Sequence, residues 1–254
     1  MLRNLILTVL LFFAGISCSP EGKGRIVSLA PSADEIIVAV GGKDALVGVS
    51  TYSKVKGITV VGDLINPDYE RIVALKPDVV IVVLPMQNRV AERLKKLGLR
   101  TYNFSPESVG ELVEEIRNLG RLVNREEEAE ALADSVKRVV SSIKPKGRFT
   151  YYVEISSKPI FVAGDGTYIS DVINRFGGEN LFSHIGGYAP VSTEEILSRD
   201  PDIVFTTQKT GRRIGLNSCV VYLKHDYVAP GLSIFPLVKE LERKVDSCLS
   251  VRAN

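Results

Sequence analysis

The stretch Glu70-Arg-Ile-Val-Ala-Leu-Lys-Pro-Asp-Val-Val-Ile81 returns, at a constant offset, as Glu194-Glu-Ile-Leu-Ser-Arg-Asp-Pro-Asp-Ile-Val-Phe205. Each copy reads as a short amphipathic helix, stopped by a Pro-Asp pair and followed by an apolar strand. Proline cannot continue a helix, and an unbroken apolar run of strand length suits a parallel strand covered on both faces. A second pair of segments keeps the same order: Glu35 to Gly41-Gly42-Lys43-Asp44-Ala45-Leu46 is echoed by Asp171 to Gly177-Gly178-Glu179-Asn180-Leu181-Phe182. Two matches in one order point to an internal duplication and hence to two related lobes.

Outward from these repeats, strands and helices alternate with short breaks, the pattern of an α/β fold with parallel sheets. Residues 25–30 read as a strand, and Pro31-Ser32 opens a helix with Ser32 and Glu35 at capping-box spacing. The expected architecture is two Rossmann-like α/β lobes, residues 25–107 and 147–254, with a ligand cleft between them. The helical linker, residues 108–146, supplies one long bridging helix, nicked near Gly120 and Asn124. Its 125–143 portion would span roughly 28 Å at the α-helical rise.

The first 18 residues, MLRNLILTVLLFFAGISC, have the layout of an export signal: one basic residue, Arg3, an apolar run too short to span a bilayer, then small residues before Cys18. Such an ending suggests a lipoprotein in which Cys18 carries the lipid, with residues 19–24 as a polar tether. A lipid anchor is then the only membrane contact expected of an exported, periplasmic or cell-surface monomer. Setting Cys18 aside leaves Cys219 and Cys248, an even pair in an oxidising compartment. Joined, they would tie the last β/α unit to the C-terminal helix; two buried free thiols are the alternative.

The 254 residues carry 32 basic and 30 acidic side chains, a net charge of +2, so no nucleic-acid footprint is expected. Neither a phosphate loop, a dinucleotide fingerprint nor a nucleophile elbow appears. With two His, His184 and His225, far apart, and no Cys-x-x-Cys spacing, no resident metal site and no cofactor are expected. No nucleophile with a His partner stands out, which leaves an exported α/β enzyme as the weaker alternative, with a purely structural envelope lipoprotein behind it.

Aromatic residues, by contrast, stand where loops should follow strands. Tyr52, Phe161, Tyr188 and Tyr227 are so placed, and ligands of open α/β sheets bind beyond the carboxyl ends of the strands. Such rings offer apolar area with a polar tip to a bulky, partly planar ligand, and Asp226 could accept a hydrogen bond from it. Glu70 and Glu194 hold the same place in each repeat. Either they serve the helix dipole, or as a symmetric pair they dock on a two-fold partner bearing Arg or Lys.

Arg25-Ile-Val-Ser-Leu-Ala-Pro-Ser-Ala-Asp-Glu35, Val47-Gly-Val-Ser-Thr-Tyr-Ser53, Glu70 to Asp78, Gly177-Gly-Glu-Asn-Leu-Phe182 and Val191-Ser-Thr-Glu194 together resemble the helical-backbone (class III) solute-binding proteins of ABC importers, and within them the cobalamin-binding members most. The resemblance covers nearly all of the chain beyond residue 24. It implies two lobes held by a rigid helix, a ligand in the cleft, and Glu70 and Glu194 against arginines of a permease dimer. It places Tyr52 on a ligand-contacting tyrosine, Asp226 on an acidic residue near the ligand, and Phe161 and Tyr188 close to aromatic contacts. Cobalamin or another corrinoid is the ligand expected, with a ferric siderophore or haem as the alternative on the same fold. The chain departs from its cobalamin-binding relatives in having no Trp.

Overall fold

A computed structural model describes residues 24–208 and 218–252. The export signal with Cys18, and the tether up to residue 23, lie outside the described residues. The first lobe runs β1 (Ile26–Ser28), α1 (Pro31–Ala39), β2 (Leu46–Val49), β3 (Thr59–Val60), α2 (Tyr69–Ala74), β4 (Val79–Val82), α3 (Asn88–Lys96) and β5 (Thr101–Asn103). Its sheet has the order β3-β2-β1-β4-β5 and is parallel throughout. The linker holds α4 (Val109–Leu122) and α5 (Glu126–Ser141). The second lobe runs β6 (Phe149–Ser157), β7 (Ile160–Ala163), α6 (Tyr168–Asn174), β8 (Gly178–Asn180), β9 (Tyr188–Pro190), α7 (Thr193–Arg199), β10 (Ile203–Thr206), β11 (Cys219–Tyr222) and α8 (Ile234–Arg252).

The repeated Pro-Asp pair does the same work in both lobes. Lys76 and Asp200, which precede the prolines, turn the chain with left-handed φ of 45° and 41°. Asp78 then accepts the Arg25 N–H at 2.6 Å and Asp202 the Thr150 N–H at 2.6 Å, pinning each lobe's first strand beside the strand that follows the pair. β1 accordingly lies parallel to β4, and β6 to β10. Gly41 and Gly177, in the second repeat, take φ of 82° and 96° just past α1 and α6, the helix ending that favours glycine.

The second sheet is mixed rather than purely parallel. β11, β10, β6 and β8 run parallel, but β7 and β9 are antiparallel to their neighbours. The cause is local: only Lys158 and Pro159 separate β6 from β7, and so short a connection can only make a hairpin. The Ser32–Glu35 capping box does not form either. α1 starts at Pro31 with Ala30 before it and no side-chain cap, and Glu35 turns outward to Lys54.

The expected nick in the linker is a full break. Asn124 adopts φ of 55°, and α5 folds back along α4, where Arg117 grips both carboxylate oxygens of Glu130 at 2.6 Å. The bridging role therefore falls to α4, which packs on α1 of one lobe and α6 of the other, while α5 packs on α8. Asp171 of α6 accepts the Val109 N–H at 2.8 Å, satisfying a helix-end donor across the lobe boundary.

Each sheet alternates its side chains between two cores. Ile26, Val79, Ile81, Tyr151, Val153, Ile203 and Phe205 enter one cluster that runs through both lobes and the linker helices. Val27, Val80 and Val82 face a second cluster closed by Ile72 of α2, and Tyr152, Val162 and Val204 a third closed by Ile196 of α7. The shared central core holds the lobes in fixed relation.

Candidate functional site

Carboxyl-end loops of the two lobes meet at three places. Lys54, after β2, bonds Asp226, after β11, at 2.7 Å. A Cβ at Gly231 would touch Ser32 at the start of α1, and one at Gly166 would reach Glu107 just before α4. These contacts bring the loops of both lobes face to face.

Tyr52 occupies the third position of a tight turn closed by the Ser53 N–H on the Ser50 carbonyl at 3.1 Å, with the Thr51 N–H bound to Gly62. The turn holds the ring out, 62% exposed. Such exposure for a large side chain on a fixed turn suits contact with a ligand. Tyr188 opens β9. It pairs with Ala163 while Pro190 pairs with Phe161, so Tyr188 and the half-buried Phe161 share one face of the antiparallel ribbon. A Cβ at Gly164 would collide with the Ile185 carbonyl, and this close approach clamps the 185–187 loop that delivers Tyr188. Tyr188 is 49% exposed, yet its phenol is pushed up to about 12 by burial, with the Glu107 charge adding to it.

Tyr227 does not belong to this set. It is 3% exposed, its ring lies in the central core, and its hydroxyl donates to Glu240 of α8 at 2.9 Å. The 3-10 turn at 225–227 sends successive side chains in different directions, so Asp226 faces the other lobe while Tyr227 faces α8.

The sequence reading missed Met86 and Lys54. Met86 follows β4 and is 54% exposed, and its loop is held by Gln87, which donates to the Leu29 carbonyl at 3.0 Å and accepts the Val83 N–H at 2.9 Å. Its place just past the carboxyl end of a strand was the available signal. Lys54 carried none, because its partners Glu35 and Asp226 are remote in sequence. One shallow hollow of about 330 Å³ lies against α6 and β8 and another, of about 490 Å³, along α8. Neither of these is lined by Tyr52 or Tyr188. Among the described residues no group of three or more His, Cys, Asp or Glu could hold a metal, and no helix is long and apolar enough to cross a membrane.

On α2 and α7 the repeat builds a matching surface in each lobe. Asp68 caps α2 by accepting the Arg71 N–H, and Ser192 caps α7 by accepting the Glu195 N–H. With capping done by those residues, Glu70 and Glu194 are exposed one step into each helix. Ile72 and Ile196 point inward; Val73 and Leu197 point outward, 43% and 44% exposed. Within the second lobe, Cys219 on β11 and Cys248 on α8 form a disulfide, with Cα atoms 5.7 Å apart.

Comparison with known proteins agrees with this layout. The vitamin B12-binding protein of Vibrio parahaemolyticus is 31% identical over 219 residues, covering 82% of this chain and 79% of that one. An uncharacterized ABC transporter substrate-binding lipoprotein of Bacillus subtilis, YvrC, is 30% identical, covering 72% of this chain and 63% of its own length. The crystal structure of the periplasmic vitamin B12 binding protein BtuF of Vibrio cholerae superposes with a TM-score of 0.74 at 26% identity, covering 90% of this chain and 97% of that one. Residues 26–217 match the periplasmic binding protein family, and the chain belongs to it.

Proposed function

We propose that this protein captures a bulky metal chelate outside the cytoplasmic membrane, a corrinoid such as cobalamin before any other, and hands it to an ABC importer without making or breaking a bond. The observation that carries this reading is the placing of two large exposed rings: Tyr52, 62% exposed, on the loop after β2, and Tyr188, 49% exposed, at the start of β9 in the other lobe. Exposed aromatic area on a fixed backbone supports capture of a large, partly planar ligand. The shared core and the Gln87 strut favour a largely preformed site. The likeness to vitamin B12-binding proteins supports a corrinoid as the ligand.

Delivery is read from the exposed faces of α2 and α7. Glu70 with Val73, and Glu194 with Leu197, present an acid and an apolar side chain on each lobe, a pattern that fits a two-fold permease offering Arg or Lys beside an apolar contact. Cys18 would tether the protein to the membrane through lipid.

Calorimetric titration of the purified protein with cyanocobalamin tests the ligand. Tight one-to-one binding, weakened by Tyr52→Ala, is the expected result. Haem or a ferric siderophore is the second reading, favoured by the exposed His225 and Tyr52, side chains of a kind that can ligate haem iron. No heat with cyanocobalamin, but binding of haemin, would move the assignment to it.

A further inference from the structure

Lys54 is shared between three elements. Its ammonium lies 2.9 Å from Glu35 Oε1 on α1 and 2.7 Å from Asp226 Oδ2 in the opposite lobe. Both acids hold its proton more firmly, Asp226 the more strongly. The residue sits two positions beyond Tyr52 on the same loop. We propose that Lys54 is a positioning residue for the ligand: it draws Asp226 across the gap between the lobes, fixes the spacing of that wall, and aims the second carboxylate oxygen of Asp226 at hydrogen-bond donors on the chelate. The inference rests on the reading of Asp226 and Tyr52 as ligand contacts.

The electrostatics give Lys54 this role and not Glu35. The cluster has two carboxylates and one ammonium, and without the ammonium the acids on opposite lobes repel each other. Backbone around the pair is ordered to receive it. The Ser233 hydroxyl donates to the Asp226 carbonyl at 3.0 Å, and the Tyr227 and Val228 N–H groups close the turn on Lys224 and His225. Lys54 and Asp226 side chains are 61% and 57% exposed, so the bond is open to solvent and to salt.

Titration with cyanocobalamin of the wild type, Lys54→Met, Lys54→Arg, Asp226→Asn and the Lys54→Met/Asp226→Asn double variant tests the proposal. Lys54→Met should weaken binding about fivefold, the reach of one exposed charge pair, and Lys54→Arg should restore it. In the Asp226→Asn background Lys54→Met should add nothing, and raising the salt should weaken the wild type but not Lys54→Met. A Lys54→Met effect that is absent, or of equal size in both backgrounds, overturns the proposal. If the wild type binds no cyanocobalamin, the ligand reading fails first. Hydrogen exchange of the ligand-free protein then decides the positioning half. Faster exchange at residues 226–228 in Lys54→Met than in wild type and Lys54→Arg upholds it, and equal exchange overturns it.

Discussion

The two lobes share a plan and differ in a telling way. Where they agree, the features hold the sheet or line the exposed faces of α2 and α7: the Pro-Asp pins, the helix endings at Gly41 and Gly177, and the acid-plus-apolar pairs of α2 and α7. Where they differ, the features gather at the facing loops. Only the second lobe inserts the antiparallel β7 and β9 that carry Phe161 and Tyr188, and only the first carries the Tyr52 turn with Lys54. A partner with two-fold symmetry rewards sameness, whereas an asymmetric ligand rewards divergence.

The largest expected effect breaks the sameness. Glu70→Ala with Glu194→Ala should leave ligand affinity within twofold of wild type and abolish uptake. Truncating one partner of a close interfacial charge pair costs about 2–5 kcal/mol, so two losses remove docking at cellular concentrations. Uptake of labelled ligand by cells, beside calorimetry on the purified variants, separates the two quantities. If one single variant alone matches the double, the lobes dock unequally and the symmetric reading is wrong.

Next in size is the disulfide, which belongs to the second lobe alone. Cys219 and Cys248 close a loop of 29 residues. In the chain-entropy description such a link stabilises by about 3–4 kcal/mol. Cys248→Ser should lower stability by that amount in urea unfolding. Because one core runs through both lobes, the loss should move a single cooperative transition rather than split it. Two separated transitions would show that the lobes unfold independently.

Legibility in the sequence follows from how local each feature is. The Pro-Asp repeat and most of the strand and helix alternation are written within a few residues, and the structure places them as read; the cysteine pair left a disulfide and two free thiols both open, and the structure joins Cys219 to Cys248. Tyr52 was legible because strand ends mark loops. The β6–β7 hairpin was not, since the pattern Phe149 to Ala163 is apolar enough to pass for strand and turn of any direction. Tyr227 was misplaced because neighbours in a 3-10 turn diverge, and no periodicity tells Asp226 from Tyr227. Nothing within a dozen residues of Lys54 names Asp226, 172 positions away. That pairing exists only once both sheets have folded.

The smallest of these effects sharpens the comparison at a single equivalent position. Asp34 of α1 corresponds to Ser170 of α6. Ser170 is buried with its hydroxyl bonded to Thr167 and Asn180, whereas neither carboxylate oxygen of the fully buried Asp34 has a well-formed hydrogen bond. Burial pushes the Asp34 carboxyl up to about 6, tempered by the nearby Ser28 and Ser53 hydroxyls. The folded state thus holds a proton that the unfolded chain, with its ordinary carboxylate near 3.8, releases earlier. Stability from this group is fully present below about pH 4 and is lost as the pH climbs through about 6. By pH 8 the loss amounts to about 3 kcal/mol, the shift at 1.4 kcal/mol per unit. Asp34→Asn and Asp34→Ser, the latter copying the other lobe, should flatten that fall. Urea unfolding at pH 4.5 and pH 8, between which about 2 kcal/mol of that fall lies, measures it. Parallel changes in wild type and both variants would mean that Asp34 is ionised in the folded protein and that the two positions are electrostatically alike.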